Sequence, residues 1–217
     1  RAKSLSDIKG QDSVIQEMQM FFRTFPKKRA FILNGPVGTG KTSMVLALAK
    51  EHNIELFELN ASDLRNRSKL EEVLAPATKQ RSLFKKGKLI LMDEADGITG
   101  SDRGGIPELL ALIDKTSFPI IITANDIWQK KFNLLRKKCQ MCNVKELKDE
   151  TILQILDDVL QKENKQIKQE TKNTIAKKSR GDVRAALNDL QTVLQLGEDA
   201  YVSSQTEREK QESIFDA

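Results

Sequence analysis

The chain runs to 217 residues, 39% of them hydrophobic and 31% charged, with a formal net charge of +5 at pH 7. Those values suit a soluble globular protein of one large domain, or one domain with a small companion, and the basic excess permits a nucleic-acid partner without proving one. No apolar run approaches the roughly 18 residues of a membrane helix and no charged-then-apolar leader opens the chain, so the expectation is an intracellular protein with no membrane contact.

From about residue 30 to 145, short apolar runs alternate with helical segments. The runs are "AFILN" (30–34), "IELFELN" (54–60), "KLILMD" (88–93), "PIIITAN" (119–125) and "CQMCNV" (139–144). Runs of this length rich in Ile, Leu and Val, with helices between them, predict a buried parallel sheet in an α/β domain over residues 1–145. After Lys145 the strands stop. Residues 149–163 place Ile152, Ile155, Leu156, Val159 and Leu160 on one helical face. Residues 182–196 do the same with Val183, Ala186, Leu187, Leu190 and Leu194, ending before Gly197. A shorter helix is expected around Ile167–Ile175, so residues 146–198 read as a three-helix domain. The polar, charged stretch 199–217 reads as a linker to a further part of the protein.

"NGPVGTGKTS" (34–43) carries the first chemistry. Gly35, Pro36, Val37, Gly38, Thr39, Gly40, Lys41 and Thr42 match G-x-x-x-x-G-K-[ST], with Ser43 following, between a predicted strand and a predicted helix. Backbone N–H groups of such a turn surround a β-phosphate, Lys41 neutralises the β/γ oxygens, and the Thr42 hydroxyl holds Mg²⁺. "LILMDEAD" (89–96) leaves Asp93 at a strand end, where a carboxylate can hold the Mg²⁺ water shell. Glu94 follows at once, placed to polarise a water in line with the γ-phosphate, which predicts hydrolysis. At the end of the next strand, Asn125 is placed to hydrogen-bond the γ-phosphate or that water, though a polar residue there also serves as a turn former. "ANDI" lacks the lysine of a guanine-reading N-K-x-D motif, which favours ATP.

Two further features come later in the chain. In "SRGDVRAALNDL" (179–190), Asp182 is the expected helix cap. Arg184 sits in the first turn, where a cation opposes the macrodipole and needs an anionic partner such as the nucleotide phosphates. Cys139 and Cys142 form a lone C-x-x-C with His52, the only histidine, far off in sequence, so ordinary reduced thiols are expected.

A phosphate loop, a "DE" strand, an Asn at a strand end and "GDVR" opening a late helix, in this order, resemble the AAA+ ATPases. The resemblance implies a P-loop domain with a five-stranded parallel sheet, followed by a small three-helix lid. Within that group the chain looks like replication factor C, the clamp-loader family, and its archaeal-type large-subunit branch. "LNASDLRNRSKLEEV" (59–73), "DEADGITGSDRGGIPELL" (93–110) and "RAKSLSDIKGQ" (1–11) carry the likeness. In the family, the segment matching Asp7–Gln11, Ile8 included, packs around the adenine.

The resemblance implies ATP and Mg²⁺ as cofactors, and hydrolysis that times the loading of a PCNA-type sliding clamp onto primer–template DNA. It implies small subunits as partners in a hetero-pentamer, a collar domain beyond this stretch, and a place in the cytoplasm or nucleoid of an archaeal cell. DNA contacts would fall on Arg65, Arg67, Lys69 and Arg103, for which a solvated surface is the competing account. Clamp contacts would fall on Leu83 and Phe84, for which burial is the competing account. Small subunits carry Ser-Arg-Cys where this chain has Lys137-Lys138-Cys139, so it is expected to receive an arginine finger and donate none. The alternative is an origin-recognition type switch that binds ATP and DNA with little turnover. Intact Asp93 and Glu94 weigh against it.

Overall fold

The computed structural model describes residues 4–61, 63–65, 87–98, 105–198 and 201, with the Arg65 side chain left out. The chain divides into two compact units, Arg1–Lys145 and Glu146–Ala217.

The described elements of the first unit are α1 (Asp12–Thr24), β1 (Ala30–Asn34), α2 (Lys41–Glu51), β2 (Glu55–Leu59), β3 (Lys88–Met92), α3 (Ile106–Lys115), β4 (Ile120–Ala124), α4 (Asn133–Lys138) and β5 (Gln140–Asn143). The five strands form one parallel sheet in the order β2-β3-β4-β1-β5. Every residue of β1, β3 and β4 is buried, which is why their sequences read as apolar runs broken only by Asn34, Lys88 and Thr123. Alternation sorts these side chains between two cores. Phe31, Leu33, Leu89, Leu91 and Ile121 meet Val14, Ile15, Met18 and Phe21 of α1 and Met44, Val45 and Leu48 of α2. Ile32, Ile90, Met92, Ile120 and Ile122 meet Leu109, Leu112 and Ile113 of α3 and Leu135 of α4. Edge strand β2 differs from its predicted burial, because only Leu59 of its five residues is fully buried. It has one neighbour, β3, and its Glu55 and Glu58 suit that half-covered place.

The second unit packs α5 (Asp149–Lys162), α6 (Gln169–Ser179) and α7 (Val183–Leu196) around Ile152, Leu156, Leu160, Ile175, Ala186, Leu190 and Val193. Three details depart from the sequence reading. The middle helix begins and ends later than expected. Its start is tied from outside: the Glu198 carboxylate accepts from the Lys168 N–H at 3.0 Å and the Thr171 hydroxyl at 2.5 Å. Its end turns through Arg180 and Gly181, both at positive φ, where a Cβ on Gly181 would lie 2.8 Å from the Leu147 carbonyl oxygen. Leu194 is exposed at 37%, and Val193 takes the core position instead. Tyr201 is buried in this core with its hydroxyl donating to Asp189 at 2.9 Å, so the expected linker is anchored at that point. Asp182 does cap α7, accepting from the Ala185 N–H at 2.9 Å. Among the described residues, no helix is long and apolar enough to cross a membrane.

Candidate nucleotide site

The site lies at the carboxyl ends of β1, β3 and β4, where parallel sheets place ligands. The turn after β1 is fixed from both sides. The Gly35 N–H donates to the Ala124 carbonyl at 3.1 Å, and a Cβ on Gly35 would come within 2.1 Å of the Val144 carbonyl oxygen. Only glycine fits between those backbones. Gly40 has φ 91° and precedes α2, so the chain turns sharply from loop to helix. Inside the loop, the Thr39 hydroxyl donates to the Pro36 carbonyl at 2.9 Å. The buried Gln11 amide donates to the Lys145 carbonyl at 2.9 Å and to that of Thr39 at 3.5 Å, tying the loop to the segment before α1. Pro36, Val37 and Ser43 are exposed, Gly38 half-buried, and Ile8 half-buried against the α1–α2 core.

Lys41 is buried beneath the loop. Its ammonium donates to the carbonyls of Gly35 and Pro36, each at 2.7 Å, and to Asn125 Oδ1 at 2.9 Å. Asn125 is itself aimed. Asp96 accepts from its backbone N–H and its Nδ2, both at 3.1 Å, so the amide oxygen faces the lysine.

A second chain of bonds joins the acidic residues. The Thr42 hydroxyl donates to Asp93 Oδ1 at 2.9 Å, and the Thr123 hydroxyl donates to the same oxygen at 2.5 Å. Thr123 Oγ1 also accepts from the Glu94 N–H at 3.0 Å. Glu94 is exposed and sits in the left-handed region, at φ 51° and ψ 52°. A non-glycine residue held there costs on the order of 1 kcal/mol or more, and such strain clusters at functional sites.

The donor set fits Mg²⁺. A hydroxyl and a carboxylate bonded to each other at one strand end are hard oxygen ligands, and Mg²⁺ takes one or two carboxylates together with water and phosphate oxygens. No group of three or more His, Cys, Asp or Glu residues that could hold a metal occurs among the described residues, as this ligand pattern allows.

Arg184 is exposed in the first turn of α7, within the helical unit. Arg65 ends a short turn, Asp63–Arg65. Arg67, Lys69, Leu83, Phe84 and Arg103 lie outside the described residues. In "RKKC", Lys138 pairs with Asp114 at 2.5 Å, and the Arg136 guanidinium donates to the backbone carbonyls of Ile127 and Gln129. Cys139 and Cys142 are free and buried, and burial pushes both thiols up to about 12, so they stay protonated and unreactive. Thr123, Asp96 and the loop-tying role of Gln11 escaped the sequence reading. For Thr123 a signal existed, a hydroxyl two positions before Asn125 on the same face of an apolar strand.

A family model described as ATPase family associated with various cellular activities (AAA) matches residues 31–147, and one described as RCF1/5-like, AAA+ ATPase lid domain matches residues 154–194. The chain belongs to the AAA ATPase family. Among named proteins it is similar to replication factor C large subunits of archaea. It is 40% identical to that of Staphylothermus marinus over 198 residues, covering 89% of this chain and 47% of the relative. It is 39% identical to that of Nanoarchaeum equitans over 223 residues, covering 100% of this chain and 52% of the relative. The chain thus spans about half the length of these relatives. Among solved structures, the replication initiator DnaA bound to AMPPCP and single-stranded DNA matches with a TM-score of 0.71. That match covers 98% of this chain and 70% of DnaA at 16% identity, a likeness of fold alone.

Proposed function

We propose that the chain is the ATP-hydrolysing portion of a clamp-loader large subunit. The observation that carries this reading is the pair of linked networks at the sheet's carboxyl edge, Lys41–Asn125–Asp96 and Thr42–Asp93–Thr123–Glu94, in a chain similar over its length to replication factor C large subunits.

The loop residues Gly35–Thr42, with Ser43, would hold the phosphates through backbone N–H groups at the start of α2, and Ile8 would border the adenine. Lys41 would exchange its carbonyl partners for phosphate oxygens. Thr42 and Asp93 would hold Mg²⁺, which supplies charge neutralisation at the β and γ oxygens. Glu94 would take the proton of the attacking water, and Asn125 would orient that water or the γ-phosphate. Arg184 would meet the phosphates from the helical unit. A neighbouring subunit would supply the arginine finger that this chain's own Arg136 and Lys138, both engaged elsewhere, do not.

Small subunits in a hetero-pentamer, a PCNA-type clamp and primer–template DNA follow as partners, inside the cell. Arg65, Arg67, Lys69 and Arg103 would face the DNA, and Leu83 and Phe84 the clamp. The DnaA likeness is one of fold and lends the static-switch alternative no support.

The test uses the complex. Lys41→Ala should abolish ATP binding. Glu94→Gln should keep ATP-dependent clamp binding while turnover and release fail. Normal hydrolysis by Glu94→Gln within the assembly would remove Glu94 as the base, and unchanged ATP affinity of Lys41→Ala would remove the site.

A further inference from the structure

Beyond Asn125, the segment leading to β5 carries none of the residues assigned to the nucleotide site, yet it displays the chain's only tryptophan, Trp128, at 61% exposure. This ring is held in place. Arg136 Nη1 donates to the carbonyls of Ile127 at 2.5 Å and Gln129 at 3.1 Å, the residues on either side of Trp128. The guanidinium carbon lies 5.3 Å from the indole centroid, within range of a cation–π contact. The Trp128 N–H donates to Asp126 Oδ1 at 2.9 Å, which fixes the backbone again. An aromatic side chain so fixed has little freedom left to lose on binding.

Charge around it is mainly positive, with Asp126 the one carboxylate in residues 126–138. Residues 129–138 read "QKKFNLLRKK", with Lys130, Lys131, Arg136, Lys137 and Lys138 and no carboxylate. Lys131 is bonded to the Ile98 carbonyl and Lys138 to Asp114, whereas Lys130 and Lys137 are exposed. A polyanion fits that field. Protein interfaces are depleted in lysine, so Lys130, two residues after the exposed Trp128, and Lys137, next to the arginine against its ring, argue against a protein partner. Surfaces that carry unpaired strands combine cations for the backbone with aromatic rings for the bases. A duplex keeps its base faces stacked within and offers no such face.

We propose that Trp128 is a stacking platform for single-stranded nucleic acid, with Lys130 and Lys137 meeting its phosphates. This site is independent of the ATP reading and can fail without it.

As the only tryptophan in the chain, Trp128 reports directly. Titration with a short oligothymidylate should quench its emission, and a blunt duplex should not. With labelled oligothymidylate followed by anisotropy, Trp128→Ala should bind roughly 5- to 150-fold more weakly, and Trp128→Phe should recover most of the affinity. Lys130→Ala with Lys137→Ala should lower the salt slope by about 1.4, at about 0.7 for each phosphate left unneutralised on a single strand. ATP binding by dialysis should be unchanged in all of these variants, which separates this proposal from the nucleotide site. Equal affinity of Trp128→Ala, or unchanged emission while anisotropy reports binding, would overturn it. So would quenching by duplex alone, or an emission change produced only by added clamp or small subunit.

Discussion

Thr123→Val removes a hydroxyl and keeps the shape of the side chain. In the native chain that hydroxyl donates to Asp93 Oδ1 and accepts from the Glu94 N–H, at a position 1% exposed. A hydrogen bond to a charged group contributes about 1.5–3 kcal/mol, and the stranded Glu94 N–H adds a desolvation cost of about 1 kcal/mol or more. The sum for stability is about 2.5–4 kcal/mol. With a urea slope of about 2 kcal/mol/M, the midpoint of the first unit should fall by about 1–2 M. Turnover should fall as well, because both acidic residues lose their orientation. A loss of about 1.4–2.7 kcal/mol at the transition state is about 10- to 100-fold in kcat. Urea unfolding and steady-state ATP hydrolysis in the assembled complex measure the two effects, and Thr123→Ser should restore both. A Thr123→Val chain with native stability and native turnover would show that Thr123 merely fills space.

Three further outcomes follow. Gly35→Ala drives a methyl group against the Val144 carbonyl oxygen at 2.1 Å, so the first unit should lose about 3 kcal/mol or more in denaturant and bind ATP more weakly; native behaviour would contradict the close approach. Hydrogen bonds from Thr171 and Lys168 hold the Glu198 carboxyl below the usual glutamate range, so its stabilisation is full above that range and is lost as pH falls through the lowered value. The gap in melting temperature between the native chain and Glu198→Gln should therefore close on acidification, and a gap constant with pH would refute the capping role. Lys138→Ala breaks an exposed pair with Asp114, costing about 0–1 kcal/mol, and should leave assembly hydrolysis nearly intact, whereas removing a neighbour's finger arginine should cost about 10³–10⁵ in rate; a large loss from Lys138→Ala would place a catalytic cation in this chain.

Strands, phosphate loop and the acidic pair were legible because each is written in adjacent residues. Burial on both faces makes β1, β3 and β4 nearly continuous apolar runs, and the loop's glycines recur at fixed spacing. Periodicity also found α5 and α7. It failed where distant residues decide. The start of α6 depends on Glu198, which lies 27 residues beyond Thr171. The swap of Val193 for Leu194 depends on how α7 meets its neighbours. Asp96 could not be assigned from spacing, and the spacing of Thr123 from Asn125 hinted at a site without giving its partners, since both roles exist only once β3 and β4 lie side by side.

That pairing also explains why the two networks behave as one device. Strand β4 lies between β1, which ends in the loop, and β3, which ends in the acids. Thr123 and Asn125 are two positions apart, so the pleat sends both toward the same side of the sheet while Ala124 turns away. Thr123 sets Asp93 and Glu94, and Asn125, held by Asp96, sets Lys41. A shift of β4 along its axis would therefore disturb Glu94, Asp93 and Lys41 together. Catalysis by fixed charges needs donors and acceptors already in place before the reaction. On the proposed function, the sheet would meet that need by anchoring both halves of the site at the carboxyl end of one buried strand.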